Sequence, residues 1–407
     1  MELEIKKNQT LLVRGPARIT LLKGVIEIFG RVIEKKELDG HTEEINYNSI
    51  IVPNGKQFPF FARENSLINS FPDLNQDFFE IIDNNSIPQQ WEEAKDELIN
   101  FIKKRKTEQK SIVILLLGIS GGKTSLSKYL ANYFIRENLK GVYFDMDMGQ
   151  QALFIPVCIS ASKIEKEILY INDLKPEKIK FIGSTFPKGN LKFIVSKYCK
   201  DLIDDYIKEN EKIDFFIIDH DSWILNDPGI VYKSFFIKTV KPNVIVALYD
   251  KEIKEFDQIL EKAPEECKII KIEEENKHYF TRDKETRGFH RQSLFANAFS
   301  SFQKLTIHLN DIKFVKMDYD EKSDQIIEVD LDLKNLITLP YHYTIVALLT
   351  EKSELINIAL LFSVNLEKHL ILLYTDITYK QQTKIKKIQM GQLRLSTKGN
   401  NQGILFI

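Results

Sequence analysis

The chain has 407 residues, of which 43% are hydrophobic and 28% charged, as in ordinary soluble proteins of two or three domains. Its 57 Lys and Arg residues nearly cancel its 58 Asp and Glu residues, so the composition excludes a global positive field and leaves any RNA contact to a local cluster. The three cysteines, Cys158, Cys199 and Cys267, are too far apart in the sequence to predict a zinc site or a disulfide framework, and no apolar run predicts a membrane span.

Residues 1–90 predict a small β-sandwich or barrel domain. Strand-sized apolar runs at 10–13 and 24–29 alternate with turn sequences. The turns are Gly15-Pro16, Asp39-Gly40 and Pro53-Asn54-Gly55. A helical pattern follows from Pro88 to about Lys106, and its apolar face carries Trp91, Ala94, Leu98, Phe101 and Ile102. We interpret the basic run at its end, 103–106, as a solvated helix end rather than an RNA-binding patch.

Residues 91–305 predict an α/β domain. Nearly continuous apolar runs alternate with helical patterns, and these runs occupy 112–117, 142–144, 215–218 and 244–248. Because helical crossovers join strands in parallel, we expect a mostly parallel sheet covered on both faces. From residue 306 to residue 407 the helical character fades, and apolar runs at 345–349, 358–364 and 370–374 predict a second small β-rich domain. The expected fold class is therefore α/β, with β-rich domains on either side of a central P-loop domain.

A glycine-rich turn follows the first of these central runs. It reads Gly118-Ile119-Ser120-Gly121-Gly122-Lys123-Thr124, and a helical pattern begins at Ser125. Glycines allow backbone N–H groups to surround phosphate oxygens, Lys123 is expected to reach the β- and γ-phosphates of ATP, and Thr124 is expected to coordinate Mg²⁺. Gly118, Ser120, Gly121, Gly122 and Ser125 would complete the nucleotide site. Only three residues separate Gly118 from Gly122 instead of the usual four, so either Leu117 takes the first position or the loop is one residue short. A plain glycine-rich turn is the alternative.

Two further strand ends carry acidic residues. Asp145 and Asp147 follow the run at 142–144, and Asp219 follows the run at 215–218 in the position of a Walker-B carboxylate. Since the carboxyl ends of parallel strands share one edge, these groups are expected near Mg²⁺ or an attacking hydroxyl, although acidic residues at strand ends are often only solvated. Trp223 lies just beyond Asp219, where a tryptophan either packs or stacks on a base.

Three arginines follow the last predicted strand of the central domain. On a helix, Arg287 and Arg291 lie on one face, with Arg282 about 140° away from Arg287. Such residues are most often a solvated face. Kinases also use an arginine segment in this position to close over the transferring phosphate, because the planar guanidinium group matches the arrangement of the phosphate oxygens.

These segments together resemble the polynucleotide 5′-hydroxyl kinase family, which includes the ATP-binding subunit of the eukaryotic pre-mRNA cleavage complex and archaeal RNA kinases. The similarity runs along most of the chain. The similar segments are Gly24–Gly30, the start of the P-loop helix at Lys123–Ser127, the Asp-x-Gly-Gln motif at Asp147–Gln150, a substrate-clasp segment at Gly183–Pro187, the loop tryptophan Trp223, the arginine lid Arg282-x4-Arg287 followed by Arg291, and an aromatic-rich helix at Leu294–Phe299.

The resemblance implies three domains, with the N-terminal domain helping to hold adenine. It also implies roles for individual residues. Lys123 and Thr124 would bind the triphosphate and Mg²⁺, and Asp147, also a metal-ligand candidate, would orient or deprotonate the RNA 5′-hydroxyl. Gln150 would support that hydroxyl and Trp223 would stack on the terminal nucleotide. Arg282 and Arg287 would stabilise the transition state.

The resemblance implies an ATP- and Mg²⁺-binding, nuclear RNA-processing protein that acts at the RNA 5′ end or with subunits of the pre-mRNA cleavage and polyadenylation machinery. Two functions stay open: an active kinase, or a catalytically inactive ATP-bound scaffold subunit. The short loop and the start of the P-loop helix at Lys123–Ser127, which resembles that of fungal cleavage-factor members, favour the scaffold. Ser222 is a departure, since it stands where the family has glycine. Asp147, Trp223 and the arginines favour catalysis. A small-molecule kinase or generic ATPase is a third interpretation, which the flanking β-domains make weaker.

Overall fold

The computed structural model describes residues 1–34, 48–73, 78–119, 122–209, 212–273, 278, 284–310 and 312–407. The strands within these ranges are β1 Glu2–Ile5, β2 Thr10–Arg14, β3 Ala17–Lys23, β4 Val25–Ile28, β5 Arg31–Glu34, β6 Ser49–Val52, β7 Gln57–Ala62, β8 Ser66–Phe71, β9 Phe79–Ile82, β10 Ile112–Gly118, β11 Gly141–Asp145, β12 Cys158–Ile164, β13 Lys178–Phe181, β14 Phe215–Asp219, β15 Val244–Leu248, β16 Lys268–Ile272, β17 Gln303–His308, β18 Lys313–Asp320, β19 Gln325–Asp330, β20 Thr344–Leu349, β21 Leu355–Asn365, β22 Leu370–Thr375, β23 Lys387–Leu395 and β24 Asn401–Ile404. The helices are α1 Gln89–Thr107, α2 Lys123–Arg136, α3 Leu191–Lys208, α4 Asn226–Val240, α5 Glu255–Leu260, α6 Lys284–Ala298, α7 Leu333–Leu336 and α8 Tyr379–Gln382.

The N-terminal part is β-rich, as its sequence predicts. It forms a four-stranded sheet of order β1-β8-β3-β6 and a five-stranded sheet of order β5-β4-β7-β2-β9. Side chains alternate between buried and more exposed positions along β3, the pattern of a strand with one face on a core. Residues of both sheets share a single core, which includes Ile19, Val52, Ile26 and Phe60. The predicted Asp39-Gly40 turn lies outside the described residues.

The central sheet has seven strands in the order β13-β12-β11-β14-β10-β15-β16. The five strands from β11 to β16 are mutually parallel, which confirms the mostly parallel sheet, while β12 and β13 pair antiparallel at one edge. Every residue of β10 is buried because helices cover both faces of the sheet. Val113 and Leu115 face a core shared with α3, α4 and α5, whereas Ile112 and Ile114 face one shared with α1 and α2. This topology brings the carboxyl ends of β11, β14 and β10 side by side.

The C-terminal part is an eight-stranded sheet of order β17-β22-β21-β20-β23-β18-β19, with β24 paired to β23. A core containing Phe295 and Phe299 of the α6 region joins this sheet to the central one through Val157 and Phe181. None of the described helices is long and apolar enough to cross a membrane. The domain boundaries at residues 90 and 305 stay predictions.

Candidate active site

The turn between β10 and α2 lies at the carboxyl edge of the central sheet. Gly122 precedes α2 with φ of 111°, a conformation that favours glycine, and Lys123 is the first residue of the helix. Thr124 and Ser125 follow in its first turn, where unpaired backbone N–H groups and the helix dipole attract anions. Of the predicted nucleotide-binding residues, Ser120 and Gly121 lie outside the described residues.

The Lys123 ammonium already has two protein partners. The side chain is only 5% exposed, and its Nζ donates to the Gly118 carbonyl at 2.8 Å and to Ser222 Oγ at 2.6 Å. Burial lowers the pKa of Lys123, and the carboxylates of Asp219 and Asp147 oppose that change. One of its three N–H donors is left for a phosphate oxygen, so contact with both the β- and the γ-phosphate requires Lys123 to exchange one of these hydrogen bonds.

Thr124 pairs with the carboxylate at the end of β14. Its Oγ1 donates to Asp219 Oδ2 at 2.6 Å, and Tyr143 donates to the same oxygen at 3.0 Å. Burial raises the pKa of Asp219, while Lys123 and these hydrogen bonds oppose the rise. A hydroxyl and a carboxylate are the oxygen ligands that Mg²⁺ takes in P-loop proteins, so this donor set fits the metal. Thr124 and Asp147 are the metal ligands that the sequence predicts, and this assignment stays a prediction; in the structure Thr124 is paired with Asp219.

Asp147 organises the turn after β11. Its Oδ1 accepts from the backbone N–H groups of Gly149 at 3.0 Å and Gln150 at 2.9 Å. Its Oδ2 accepts no protein hydrogen bond among the described residues. Burial, followed by the nearby Asp221 carboxylate, raises the pKa of Asp147. Asp145 has a structural role. Its Oδ2 accepts from the backbone N–H groups of residues 152 and 153 at 2.7 and 3.1 Å, and these hydrogen bonds fix the chain after the turn.

Helix α6 lies against this turn. Arg291 Nε donates to the Gly149 carbonyl at 2.8 Å, and the pKa of Arg291 is lowered first by burial, with Asp147 opposing. Arg287 is exposed on the same helix, and its backbone carbonyl accepts from Gln150 Nε2 at 3.4 Å. Arg282 lies outside the described residues. The sequence groups Arg291 with the other two arginines but predicts no role for it, and in the structure its side chain is hydrogen bonded to the turn.

The predicted clasp and tryptophan segments meet beside the same turn. The ring centroids of Phe186 and Trp223 are 4.4 Å apart with an interplanar angle of 43°. A Cβ on Gly149 would lie 2.8 Å from the Thr185 carbonyl, so only glycine allows this approach. The structure therefore brings Lys123, Asp147, Gln150, Trp223 and the α6 arginines to one edge.

A buried charge cluster lies behind Trp223. Lys233 is fully buried on α4, and its Nζ donates to Asp221 Oδ1 at 2.8 Å and lies 2.6 Å from His220 Nδ1. Burial alone would raise the pKa of Asp221, but the Lys233 ammonium holds it well below its usual range. Burial and then Lys233 lower the pKa of His220 to about 4, so its ring is neutral at pH 7. Lys233 was not predicted as a functional residue, and its one signal in the sequence is a lysine inside the apolar stretch of α4.

Several known proteins are similar to this chain. Residues 119–301 match the family model described as mRNA cleavage and polyadenylation factor CLP1 P-loop. The chain is 26% identical over 340 residues to a polyribonucleotide 5′-hydroxyl-kinase of Methanocaldococcus jannaschii, covering 74% of this chain and 91% of the relative. A polyribonucleotide 5′-hydroxyl-kinase of Pyrococcus furiosus is 23% identical over 331 residues, or 72% of this chain and 90% of the relative. CLP1 homolog 5 of Arabidopsis thaliana is 23% identical over 210 residues, or 50% of this chain and 49% of the relative.

The fold is also that of a solved protein. Clp1p in a Clp1p–Pcf11p complex superposes with a TM-score of 0.70 at 15% sequence identity, covering 97% of both chains. The match extends through the β-rich parts on both sides of the central sheet. The chain is thus similar to the CLP1 P-loop family over residues 119–301 and to polyribonucleotide 5′-hydroxyl-kinases over most of its length.

Proposed function

We propose that the chain is an RNA 5′-hydroxyl kinase, which transfers the γ-phosphoryl group of ATP to the 5′-hydroxyl of RNA. The observation that carries this proposal is the convergence of Lys123, Asp147 and Arg291 at one edge of the sheet. The three charges interact. Burial lowers the pKa of Lys123 and that of Arg291, and the Asp147 carboxylate opposes both changes. Relatives that share most of the chain are named as polyribonucleotide 5′-hydroxyl-kinases.

Each group has a role in this transfer. Lys123 leaves Ser222 or Gly118 to bind the phosphates, and Thr124 with Asp219 would hold Mg²⁺, which neutralises phosphate charge when bound. Asp147 Oδ2 accepts the proton of the 5′-hydroxyl as the new O–P bond forms and the bond between the β- and γ-phosphates breaks. Arg291, with Arg287 beside it, neutralises charge on the equatorial oxygens, and the same role for Arg282 stays a prediction. Gln150 supports the acceptor nucleotide.

An ATP-bound scaffold is the second candidate function. The hydrogen bond from Lys123 to Ser222 favours a loss of turnover, because it engages an ammonium donor that would otherwise contact the transferring phosphate. Solved relatives carry Pcf11p as a partner. In this candidate the chain keeps ATP without turnover and joins a subunit of the pre-mRNA 3′-end cleavage machinery in the nucleus.

Replacing Lys123 by Ala is expected to lower RNA labelling about 10²–10³-fold, since it removes a charge that acts on the transferring group. The measurement is transfer of label from γ-labelled ATP to a 5′-hydroxyl oligoribonucleotide with Mg²⁺ and excess RNA. Lys110→Ala is the matched control, because the Lys110 side chain is 64% exposed. If the unmodified protein labels no RNA and retains ATP through purification, the result supports the scaffold function and contradicts the kinase function.

Replacing Ser222 by Ala is expected to tighten ATP binding roughly fivefold. The substitution removes a hydrogen bond of about 1 kcal/mol that Lys123 gives up when it contacts both the β- and the γ-phosphate. Isothermal titration with ATP and Mg²⁺ measures the change, and Ser222→Thr, which keeps the hydroxyl, is the control. Weaker ATP binding in Ser222→Ala would mean that the hydroxyl assists the nucleotide rather than competing for Lys123.

A further inference from the structure

The loop between β14 and α4 makes side-chain contacts with two different helices. Ser222 Oγ accepts a hydrogen bond from Lys123 of the P-loop helix α2 at 2.6 Å. The two residues before it, His220 and Asp221, are buried and contact Lys233 of α4. Ser222 is therefore the link between the buried charge cluster and the lysine of the proposed nucleotide site.

Lys233 fixes the backbone directly before Ser222. Its Nζ donates to the carbonyl of Asp221 at 2.9 Å and to the carboxylate of the same residue at 2.8 Å, and it lies 2.6 Å from His220 Nδ1. An ammonium group has three N–H donors, and these three acceptors take all of them. The Asp221 carbonyl belongs to the peptide group that joins Asp221 to Ser222, so Lys233 holds this peptide group in one orientation.

The Asp221 carboxylate fixes the backbone directly after Ser222. Its Oδ1 accepts from the Trp223 N–H at 2.8 Å, and the same oxygen accepts from Lys233. The peptide groups on both sides of Ser222 are thus bonded to one ion pair, in which the Lys233 side chain is 0% and the Asp221 side chain 11% exposed. The ion pair therefore determines where the Ser222 hydroxyl lies.

Stability alone does not account for this ion pair. Removing two charges from water costs about as much as their attraction returns, and apolar residues often replace a buried pair without loss of stability. The neighbouring α4 residues Tyr232 and Phe236 are buried aromatic side chains, so an apolar residue at position 233 would suit its surroundings. Such a residue could not hold the two peptide groups around Ser222.

We propose that Asp221 and Lys233 are positioning residues for Lys123, and that they act through Ser222. The ion pair fixes the Ser222 hydroxyl, and the hydroxyl engages one N–H donor of Lys123. The pair thereby controls how readily Lys123 contacts both the β- and the γ-phosphate. This inference rests on the ATP site of the proposed function, and it applies to the kinase and to the scaffold alike.

A double-mutant cycle tests this inference. The double substitution Asp221→Asn, Lys233→Met is made in the unmodified chain and in Ser222→Ala, and isothermal titration with ATP and Mg²⁺ measures the affinity of each protein. The matched control is Asp214→Asn, Lys106→Met. That pair is also joined at 2.8 Å and also contains a buried aspartate, but Asp214 directly precedes β14 and lies at the opposite edge of the sheet.

In the unmodified chain, the double substitution is expected to tighten ATP binding about threefold, because a hydroxyl that is no longer fixed releases Lys123 more readily. In Ser222→Ala, which has no hydroxyl to position, it is expected to leave the affinity unchanged. The control pair is expected to have no effect in either protein. Equal changes in both backgrounds, or no change in either, overturn the inference while the ATP site stands. An unmodified chain that binds no ATP contradicts the proposed function itself.

Asp221→Asn alone separates the position of the loop from the charge, and it still tests the inference if the double variant does not fold. The amide oxygen can accept from Lys233 and from the Trp223 N–H, so ATP affinity is expected to stay within about twofold of that of the unmodified chain. A shift as large as that of Ser222→Ala would show that the Asp221 charge acts on Lys123 directly, and it would overturn the inference.

Discussion

Replacing Asp147 by Asn is expected to slow phosphoryl transfer to RNA on the order of 10³-fold, the usual contribution of a positioned general base. An asparagine oxygen can still accept the N–H groups of Gly149 and Gln150, so the turn keeps its shape. The amide that replaces Oδ2 cannot accept a proton, so the loss falls on the chemical step. Binding of ATP is expected to change little.

Single-turnover labelling of RNA over a range of pH measures this effect. In the proposed transfer the ionised form of Asp147 accepts the proton, and burial followed by the Asp221 carboxylate raises the pKa of Asp147. Activity should therefore fall, as pH decreases, at a higher pH than for an ordinary aspartate. Asp227→Asn, at an exposed position in the first turn of α4, is the control. A rate in Asp147→Asn equal to that of the control would show that another group takes the proton.

Replacing Lys233 by Met is expected to lower the free energy of unfolding by about 3–5 kcal/mol, because it leaves the buried Asp221 carboxylate without its counter-charge. The two groups are joined at 2.8 Å inside the protein. Asp221 Oδ1 also accepts from the Trp223 backbone at 2.8 Å, so the loop that carries Trp223 depends on this ion pair.

Urea unfolding followed by tryptophan fluorescence measures the change, since both tryptophans, Trp91 and Trp223, pack against the central sheet. Lys238→Met, at an exposed position on the same helix, is the control. The double variant Asp221→Asn, Lys233→Met carries no unpaired charge and is expected to recover at least half of the loss. A single variant as stable as the control would mean that water or another group compensates Asp221.

The sequence predicts the main strands of the central sheet well, because their formation depends on local patterns of apolar residues. The apolar runs at 112–117 and 215–218 became β10 and β14, since only strands covered on both faces are apolar at every position. The glycine-rich turn has its expected place between strand and helix. The antiparallel pair β12 and β13 was not predicted, because their alternation is weak and their pairing is set by neighbours distant in the chain.

The partners of individual side chains were harder to predict. The pairing of Thr124 with Asp219 and the contact of Arg291 with Gly149 join elements 95 and 142 residues apart. Periodicity places Arg287 and Arg291 on one face of a helix but does not say which of them meets the turn. Phe186 sits in a segment that the family resemblance singled out, yet its stacking on Trp223 depends on the fold that brings the two loops together.

The hydrogen bonds from β23 to Gly183 bear on how shortened forms of this protein should be interpreted. The N–H groups of Gln392 and Leu393 both donate to the Gly183 carbonyl, at 2.7 and 3.2 Å, and that glycine begins the segment carrying Phe186. A fragment ending near residue 305 would lack both donors and would hold the segment through the hydrogen bond from Gly183 to the Val157 carbonyl, without the support of β23. If such a fragment bound RNA more weakly, the cause would be the less well fixed segment at 183–187. The weaker binding would not show that RNA contacts the C-terminal sheet.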